Sequence, residues 1–184
     1  KLVTVVPESQ QFNLPSIQGS YVLMDAVRGG VKAMLDAPML TAKRTAAASA
    51  LASRFLSRED ARVLCMVGTG TLAPELIKAH LAVRPIDRVI VWGRTRQKAD
   101  ALLKKLSVQD FARHVEFELA PDLAKAVSAA DIISVATMSR TPLITGAWLR
   151  AGQHLDLVGA YRPDMREADD VCLNSSRIVV DNLD

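Results

Sequence analysis

Residues 63–73, Val-Leu-Cys-Met-Val-Gly-Thr-Gly-Thr-Leu-Ala, decide how this chain is read. The apolar run Val63–Val67 reads as a buried strand. It passes straight into Gly68-Thr69-Gly70-Thr71-Leu72-Ala73, a G-x-G-x-x-A pattern, and a helix-like run follows to Val83. Strand, glycine bend and helix in that order are the context in which such glycines cradle a dinucleotide rather than form a chance turn. Gly68 permits the tight turn, and Gly70 leaves bare backbone for a pyrophosphate. Ala73 is small enough for the helix to pack on the strand. Thr71 and Leu72 open that helix, where free N–H groups and the positive dipole end attract phosphate.

Outward from this unit, strand-like and helix-like stretches alternate. Strands are expected at 62–67, 88–92, 115–119, 132–136, 154–158 and 177–180. Helices are expected at 71–83, 97–106 and 123–129, with short turns near 146–149 and 167–173. Such alternation predicts an α/β fold: a doubly wound parallel sheet covered on both faces, with ligand at the carboxyl ends of its strands.

The first 36 residues have a different texture. Stretches 1–6, 17–25 and 31–36 read as antiparallel strands, with a polar loop at 7–15 and a turn at Arg28-Gly29-Gly30. An Ala-rich stretch, 38–56, then favours helix, with Asp36 as N-cap and Pro38 in the first turn. The expected organisation is part of a second, β-rich domain at 1–45, a connecting helix and linker at 46–60, and a dinucleotide-binding domain at 61–184.

The ribose end of a dinucleotide is read at the end of the second strand of the sheet. Asp87 has a tempting spacing from the glycines, but it precedes that strand and so lies at the wrong edge. The carboxyl end is Trp92-Gly93-Arg94-Thr95-Arg96, with two guanidiniums, a hydroxyl and no carboxylate. That is chemistry for a phosphate dianion, so Arg94, Thr95 and Arg96 predict NADP(H) in preference to NAD(H). After the fourth and fifth strands come Thr137-Met138-Ser139 and Val158-Gly159-Ala160-Tyr161, which fall on the same edge and would flank the nicotinamide.

Composition bounds the rest. The chain has 184 residues, 49% of them apolar, enough for a sizeable core. A net charge of +3 and 4% aromatic residues argue against a nucleic-acid surface. Cys65 and Cys172 lie in or beside apolar runs and read as structural thiols of a reducing, cytoplasmic compartment. His80, His114 and His154 share no metal-ligand spacing, and no metal is expected. No apolar run has the length of a membrane span, and no signal peptide is visible. Lys1 already sits inside a strand-like run and the chain stops abruptly at Asp184, so a fragment is expected.

At this level of detail the chain resembles the ornithine cyclodeaminase/mu-crystallin family. The resemblance is carried by KLVTVVP at 1–7, LPSIQG at 14–19, LTAKRTAAASALASRFL at 40–56, VGTGTLA at 67–73 and VGAYRPDMREAD at 158–169. It implies a homodimer in which a Rossmann domain binds cofactor while the other domain binds substrate and builds the dimer. It also implies that Lys1 and Arg44 hold a substrate carboxylate, and that Ser16 and Thr45 touch cofactor phosphate or nicotinamide. An α-carboxylate does suit a bidentate guanidinium beside a point charge.

One departure matters. Cyclodeaminases of the family carry a catalytic Asp in the turn after the fifth strand, where this chain has Tyr161. A phenol with a reference pKa near 10 is a poor base at neutral pH. GAYRPDMRE at 159–167 and LPSIQG at 14–19 more closely resemble the cyclic ketimine reductases of the family, and that resemblance implies NADPH-dependent reduction of Δ1-pyrroline-2-carboxylate or Δ1-piperideine-2-carboxylate to proline or pipecolate. Tyr161 would pack on the ring or hydrogen-bond its nitrogen. The alternatives are an ornithine cyclodeaminase using another base such as Asp164, a non-catalytic NADPH-binding protein of the crystallin type, and an alanine dehydrogenase.

Overall fold

The computed structural model describes every residue except 13, 15, 16 and 182–184. The chain divides into two compact units, Lys1–Thr45 and Ala46–Asp184.

In the first unit, strands β1 (Leu2–Val5), β2 (Ile17–Met24) and β3 (Val31–Asp36) form an antiparallel sheet in the order β1-β2-β3. The turn between β2 and β3 is built by Asp25, whose Oδ1 accepts from the amides of Val27 and Arg28 at 2.8 and 3.0 Å. Gly29 closes it with φ of 73°, a conformation that costs glycine little. Helix α1 (Ala37–Leu56) begins directly after β3. Asp36 Oδ1 accepts from the Met39 amide at 2.9 Å, so the expected N-cap forms. The stretch read as a polar loop differs: Pro7–Phe12 is a 3-10 helix, because Pro7 is preset for helical φ and Ser9 N–H donates to Val6 O at 3.1 Å.

The second unit is an α/β layer structure. Its strands are β4 (Val63–Val67), β5 (Arg88–Trp92), β6 (Glu116–Leu119), β7 (Ile132–Val135) and β8 (His154–Leu157). All pairings are parallel and the order is β6-β5-β4-β7-β8. Helices α2 (Leu72–Val83), α3 (Arg96–Ser107) and α4 (Leu123–Ala129) make the first three crossovers, a 3-10 turn at Gly146–Trp148 lies in the fourth, and α5 (Asp170–Asn174) follows β8. Alternate residues of each strand feed opposite cores. Leu64, Met66, Val89, Val91 and Ile132 pack with Leu76 and Ile77 of α2 and Leu102 and Leu106 of α3. Cys65, Val67, Ile90, Ile133 and Val135 pack with Ala126 and Val127 of α4 and with Ile144 and Cys172. Each such aliphatic side chain stabilises the fold by roughly 1.5–3 kcal/mol relative to exposure.

Residues 177–180 correct the reading of six strands. They form no strand, and Ile178, Val179 and Val180 are all more than half exposed. Their β-branched run has strand propensity, but a strand exists only with a ladder partner, and none of the described residues pairs with them. Where a short turn was expected near 167–173, a short helix forms, and it starts only at Asp170. There Asp169 caps it by accepting from the Cys172 amide at 2.9 Å, which leaves Glu167 outside the helix.

Candidate functional site

Register brings the site together. Val67 pairs with Trp92 on one side and with Val135 on the other, and Val135 pairs with Leu157. Four strands therefore end level, and the segments that follow them, Gly68–Leu72, Gly93–Arg96, Ala136–Ser139 and Val158–Tyr161, emerge on one edge. The strand order reverses between β5 and β7 around β4, and a crevice at such a switch point is where open α/β sheets bind ligand.

The glycine bend has the geometry its sequence predicts. Gly68 has φ of 116° and its N–H donates to Trp92 O at 2.9 Å. A Cβ there would stand 2.4 Å from Ala136 O, so only glycine fits. Gly70 is exposed, and a Cβ added to it would meet nothing within 4 Å. The first glycine is thus sealed against protein, and the second opens to the space a pyrophosphate would need. Thr71 and Leu72 start α2 here, and the Thr71 hydroxyl makes no capping bond to the helix. No side chain caps the amino end of α2, and such an uncapped helix start is suited to an anion.

Beside it, Gly93 lets β5 end close to the bend, since a Cβ there would lie 2.6 Å from Thr69 Cγ2. Arg94, Thr95 and Arg96 are all exposed. Thr95 is the N-cap position of α3 but its hydroxyl does not cap. Asp87 lies at the opposite edge, where Arg62 Nη1 contacts it at 3.1 Å. The donor set and the open bend together fit a dinucleotide.

The other two strand-end turns are held by a residue that sequence reasoning missed. Glu167 is 1% exposed. Its Oε1 accepts from the Thr137 amide at 2.6 Å and the Thr137 hydroxyl at 2.7 Å, and its Oε2 accepts from the Gly159 amide at 2.8 Å. Burial raises its carboxyl above the ordinary value, and these three donors offset part of that. A Cβ on Gly159 would stand 2.1 Å from Thr137 O and 2.4 Å from Glu167 Oε1, so the approach is close enough to demand glycine. The only sequence signal was an acidic residue inside the quoted 158–169 motif. Val158 is half-buried and its N–H donates to Val135 O at 2.9 Å. Tyr161, by contrast, is 65% exposed.

In the first unit, Lys1 Nζ donates to Thr41 Oγ1 at 2.9 Å. Arg44 lies three residues along α1 from Thr41, and residues so spaced share a helix face. Two cations separated by the length of a β-sheet in sequence are thus brought to one side of α1. Arg44 is exposed and Thr45 half-buried. Ser16 lies outside the described residues.

Several other titratable groups are engaged within the fold. His80 is fully buried, with Nε2 3.4 Å from Asp156 Oδ2, which also accepts from Ser134 Oγ at 2.7 Å. Asp131 ties the amino edge of the sheet, accepting from the amides of Arg62 and Val63 at 2.9 and 3.0 Å. Cys65 and Cys172 are free and buried, and burial pushes their thiols up to about 12 and about 11. Among the described residues no cluster of three potential ligands could hold a metal, and no helix is long and apolar enough to cross a membrane.

Comparison with known proteins places the fold and the family. Over 183 residues the chain is 44% identical to Protein SAR DEFICIENT 4 of Arabidopsis thaliana, covering 99% of the chain and 56% of that protein. It is 43% identical to the Delta(1)-pyrroline-2-carboxylate reductase of Paracoccus denitrificans, covering 99% of the chain and 57% of that protein. The chain spans little more than half the length of these relatives. Among solved structures, the Delta(1)-pyrroline-2-carboxylate reductase of Thermococcus litoralis in complex with NADH and L-proline superposes with a TM-score of 0.86 at 30% identity, over 95% of this chain and 53% of that one. Residues 1–184 match the profile of the ornithine cyclodeaminase/mu-crystallin family throughout. With its Rossmann-type sheet, its glycine bend and this end-to-end match, the chain belongs to the ornithine cyclodeaminase/mu-crystallin family.

Proposed function

We propose that the protein reduces a cyclic imine carboxylate, Δ1-pyrroline-2-carboxylate or Δ1-piperideine-2-carboxylate, to the cyclic amino acid, with NADPH as reductant. The observation that carries this reading is the composition of the sheet's carboxyl edge. It combines an open glycine bend at Gly70, two exposed guanidiniums at Arg94 and Arg96, and Tyr161 where a deaminase would need a carboxylate base. The names of the bacterial and archaeal reductases above support the same chemistry.

In this reading Gly68, Gly70, Thr71 and Leu72 receive the pyrophosphate. Arg94, Thr95 and Arg96 receive the 2′-phosphate, and Thr137, Val158 and Gly159 border the nicotinamide. Lys1 and Arg44 hold the ring carboxylate, with Ser16 and Thr45 contributing to the cofactor. When bound, the reduced nicotinamide supplies a hydride to the C=N carbon. The imine nitrogen arrives protonated, so the chain's task is mainly to hold two reactants in order. Tyr161 contributes packing or a hydrogen bond and acts as no base.

A homodimer, a cytoplasmic location, and a division into a substrate domain at 1–45, a connector at 46–60 and a cofactor domain at 61–184 belong to the same proposal. The two free thiols support the reducing location. The test is NADPH oxidation by full-length protein with each imine. Turnover of at least one, faster with NADPH than with NADH, is expected. Release of ammonia from ornithine without imine reduction would replace this reading with cyclodeamination. Tight NADPH binding with no turnover would replace it with a binding role.

A further inference from the structure

Glu167 is a buried carboxylate spent entirely on two loops. It lies between β8 and α5, and its oxygens reach the residues that follow β7 and β8. Around it the chain is stitched twice more: Leu143 and Ile144 amides donate to Glu167 O at 2.9 Å, and the Arg166 amide donates to Ser139 O at 2.8 Å. The Thr137 hydroxyl that donates to Glu167 also lies 3.3 Å from the Ser139 amide, which it can accept. One side chain therefore sets the gap between two adjacent strand ends at the edge where the glycine bend opens. A carboxylate suits this position because all three of its neighbours are donors. An amide there would turn its NH2 toward the Gly159 or Thr137 N–H and leave a buried donor unpaired.

We propose that Glu167 is a positioning residue for the nicotinamide end of the cofactor. It fixes the spacing of the Thr137 and Gly159 turns without touching cofactor or substrate. This rests on the dinucleotide part of the function proposed above, and not on which imine is reduced. Displacing a reactant by about 1 Å can cost on the order of a hundredfold in rate. A residue that holds the ring should therefore act on turnover more than on capture of the substrate carboxylate.

The test compares Glu167→Gln and Thr137→Val in the full-length protein. The first sets an amide NH2 against a backbone N–H and so breaks one hydrogen bond, and the second removes the hydroxyl-to-Oε1 bond and the long Ser139 amide contact at nearly unchanged shape. NADPH affinity is read by fluorescence titration, the kcat and KM of the imine by initial rates, and the fold by circular dichroism and Tm. Glu167→Gln is expected to weaken NADPH about tenfold and lower kcat about tenfold or more, with the imine KM within about threefold. Thr137→Val is expected to do the same to a smaller degree, and the double variant to lose less than the product of the two.

A lowered Tm with unchanged kcat and NADPH affinity in both variants would reduce Glu167 to a structural brace and overturn the proposal. If Glu167→Gln fails to fold, Glu167→Asp, which keeps the carboxylate but withdraws it by one methylene, decides by the same readouts. If the wild-type protein binds NADPH but reduces no imine, the reductase reading fails while the affinity readout still judges Glu167. If the wild-type protein binds no dinucleotide, both fail.

Discussion

The carbonyl of Ala136, just past β7, lies against the α-carbon of Gly68, just past β4, so closely that a Cβ on Gly68 would stand 2.4 Å from that oxygen. The neighbour is backbone and cannot swing away, and φ of 116° already lies outside the range that L side chains adopt readily. The bend exists only because two parallel strands end level beside each other. Gly68→Ala should therefore cost roughly 3 kcal/mol or more of folding stability. Gly70→Ala meets open space and should change stability by less than about 0.5 kcal/mol while weakening the dinucleotide. Chemical denaturation and NADPH titration of the two variants separate these effects. Equal stabilities would contradict the assigned geometry.

Arg94 is the expected discriminator at the ribose. Arg94→Asp should lower NADPH affinity by tenfold to a hundredfold, because a charge-assisted hydrogen bond contributes about 1.5–3 kcal/mol. NADH affinity should hold or improve. Titration with both dinucleotides reads this directly, and an unaltered preference would remove Arg94 from the site.

Arg44 shares the face of α1 that Thr41 presents to Lys1. Arg44→Ala should reduce kcat/KM for the imine about a hundredfold through loss of a bidentate carboxylate contact, and leave NADPH affinity within about twofold. The opposite pattern, with weakened NADPH and normal imine use, would mean that the guanidinium serves the cofactor.

Stability should fall on acidification in two stages. His154 is half-buried and its imidazole is held below the usual histidine value, first by burial and then by nearby His80 and Arg84, with Asp156 opposing. The unfolded chain therefore binds a proton that the folded chain refuses, and stability drops as pH falls through about 6.5. Burial pushes Asp156 up, but donors from His80, Ser134 and Ser49 hold it below the usual carboxylate value on balance. Its contribution is present above the unfolded carboxylate pKa of about 3.9 and is lost as pH falls through the lower, folded value. Glu167, raised by burial, works the other way between its unfolded and folded values. Denaturation midpoints from pH 7.5 to 5.5 should decline less steeply in His154→Gln than in the wild type.

Neither Cys65 nor Cys172 should react with thiol reagents in the native state at neutral pH, since the thiolate is the reactive form and both thiols are pushed to about 12 and about 11. Peptide mapping after labelling, with and without denaturant, checks this. Native labelling of either would contradict their burial.

Much was legible before folding. The edges of β5 and α4 and of the strand at Val31–Asp36 coincide with the expected ones, because short apolar runs bounded by turn residues leave little freedom in placement. Asp36 capped its helix as its position predicted. The misreading of 177–180 has one cause: propensity is local, whereas a strand needs a neighbour. Glu167 escaped for the converse reason. Acidic residues are usually solvated, and nothing in the order of residues says that three donors from two distant loops will converge on this one.

What the order of residues determined alone is the type of the elements from β4 to β8, the bend at Gly68 and the absence of a carboxylate at the end of β5. These follow from periodicity, from glycine's freedom at positive φ and from residue identity, all of which act within a few neighbours. Only the tertiary structure decided that the strand ends lie level and that Glu167 spans the turns after β7 and β8. It also decided that Lys1 meets Thr41 one turn from Arg44. Those relationships depend on the register of a parallel sheet and on chain closure across tens of residues, where hydrogen-bond pairing and core packing choose among arrangements that local preference leaves equal.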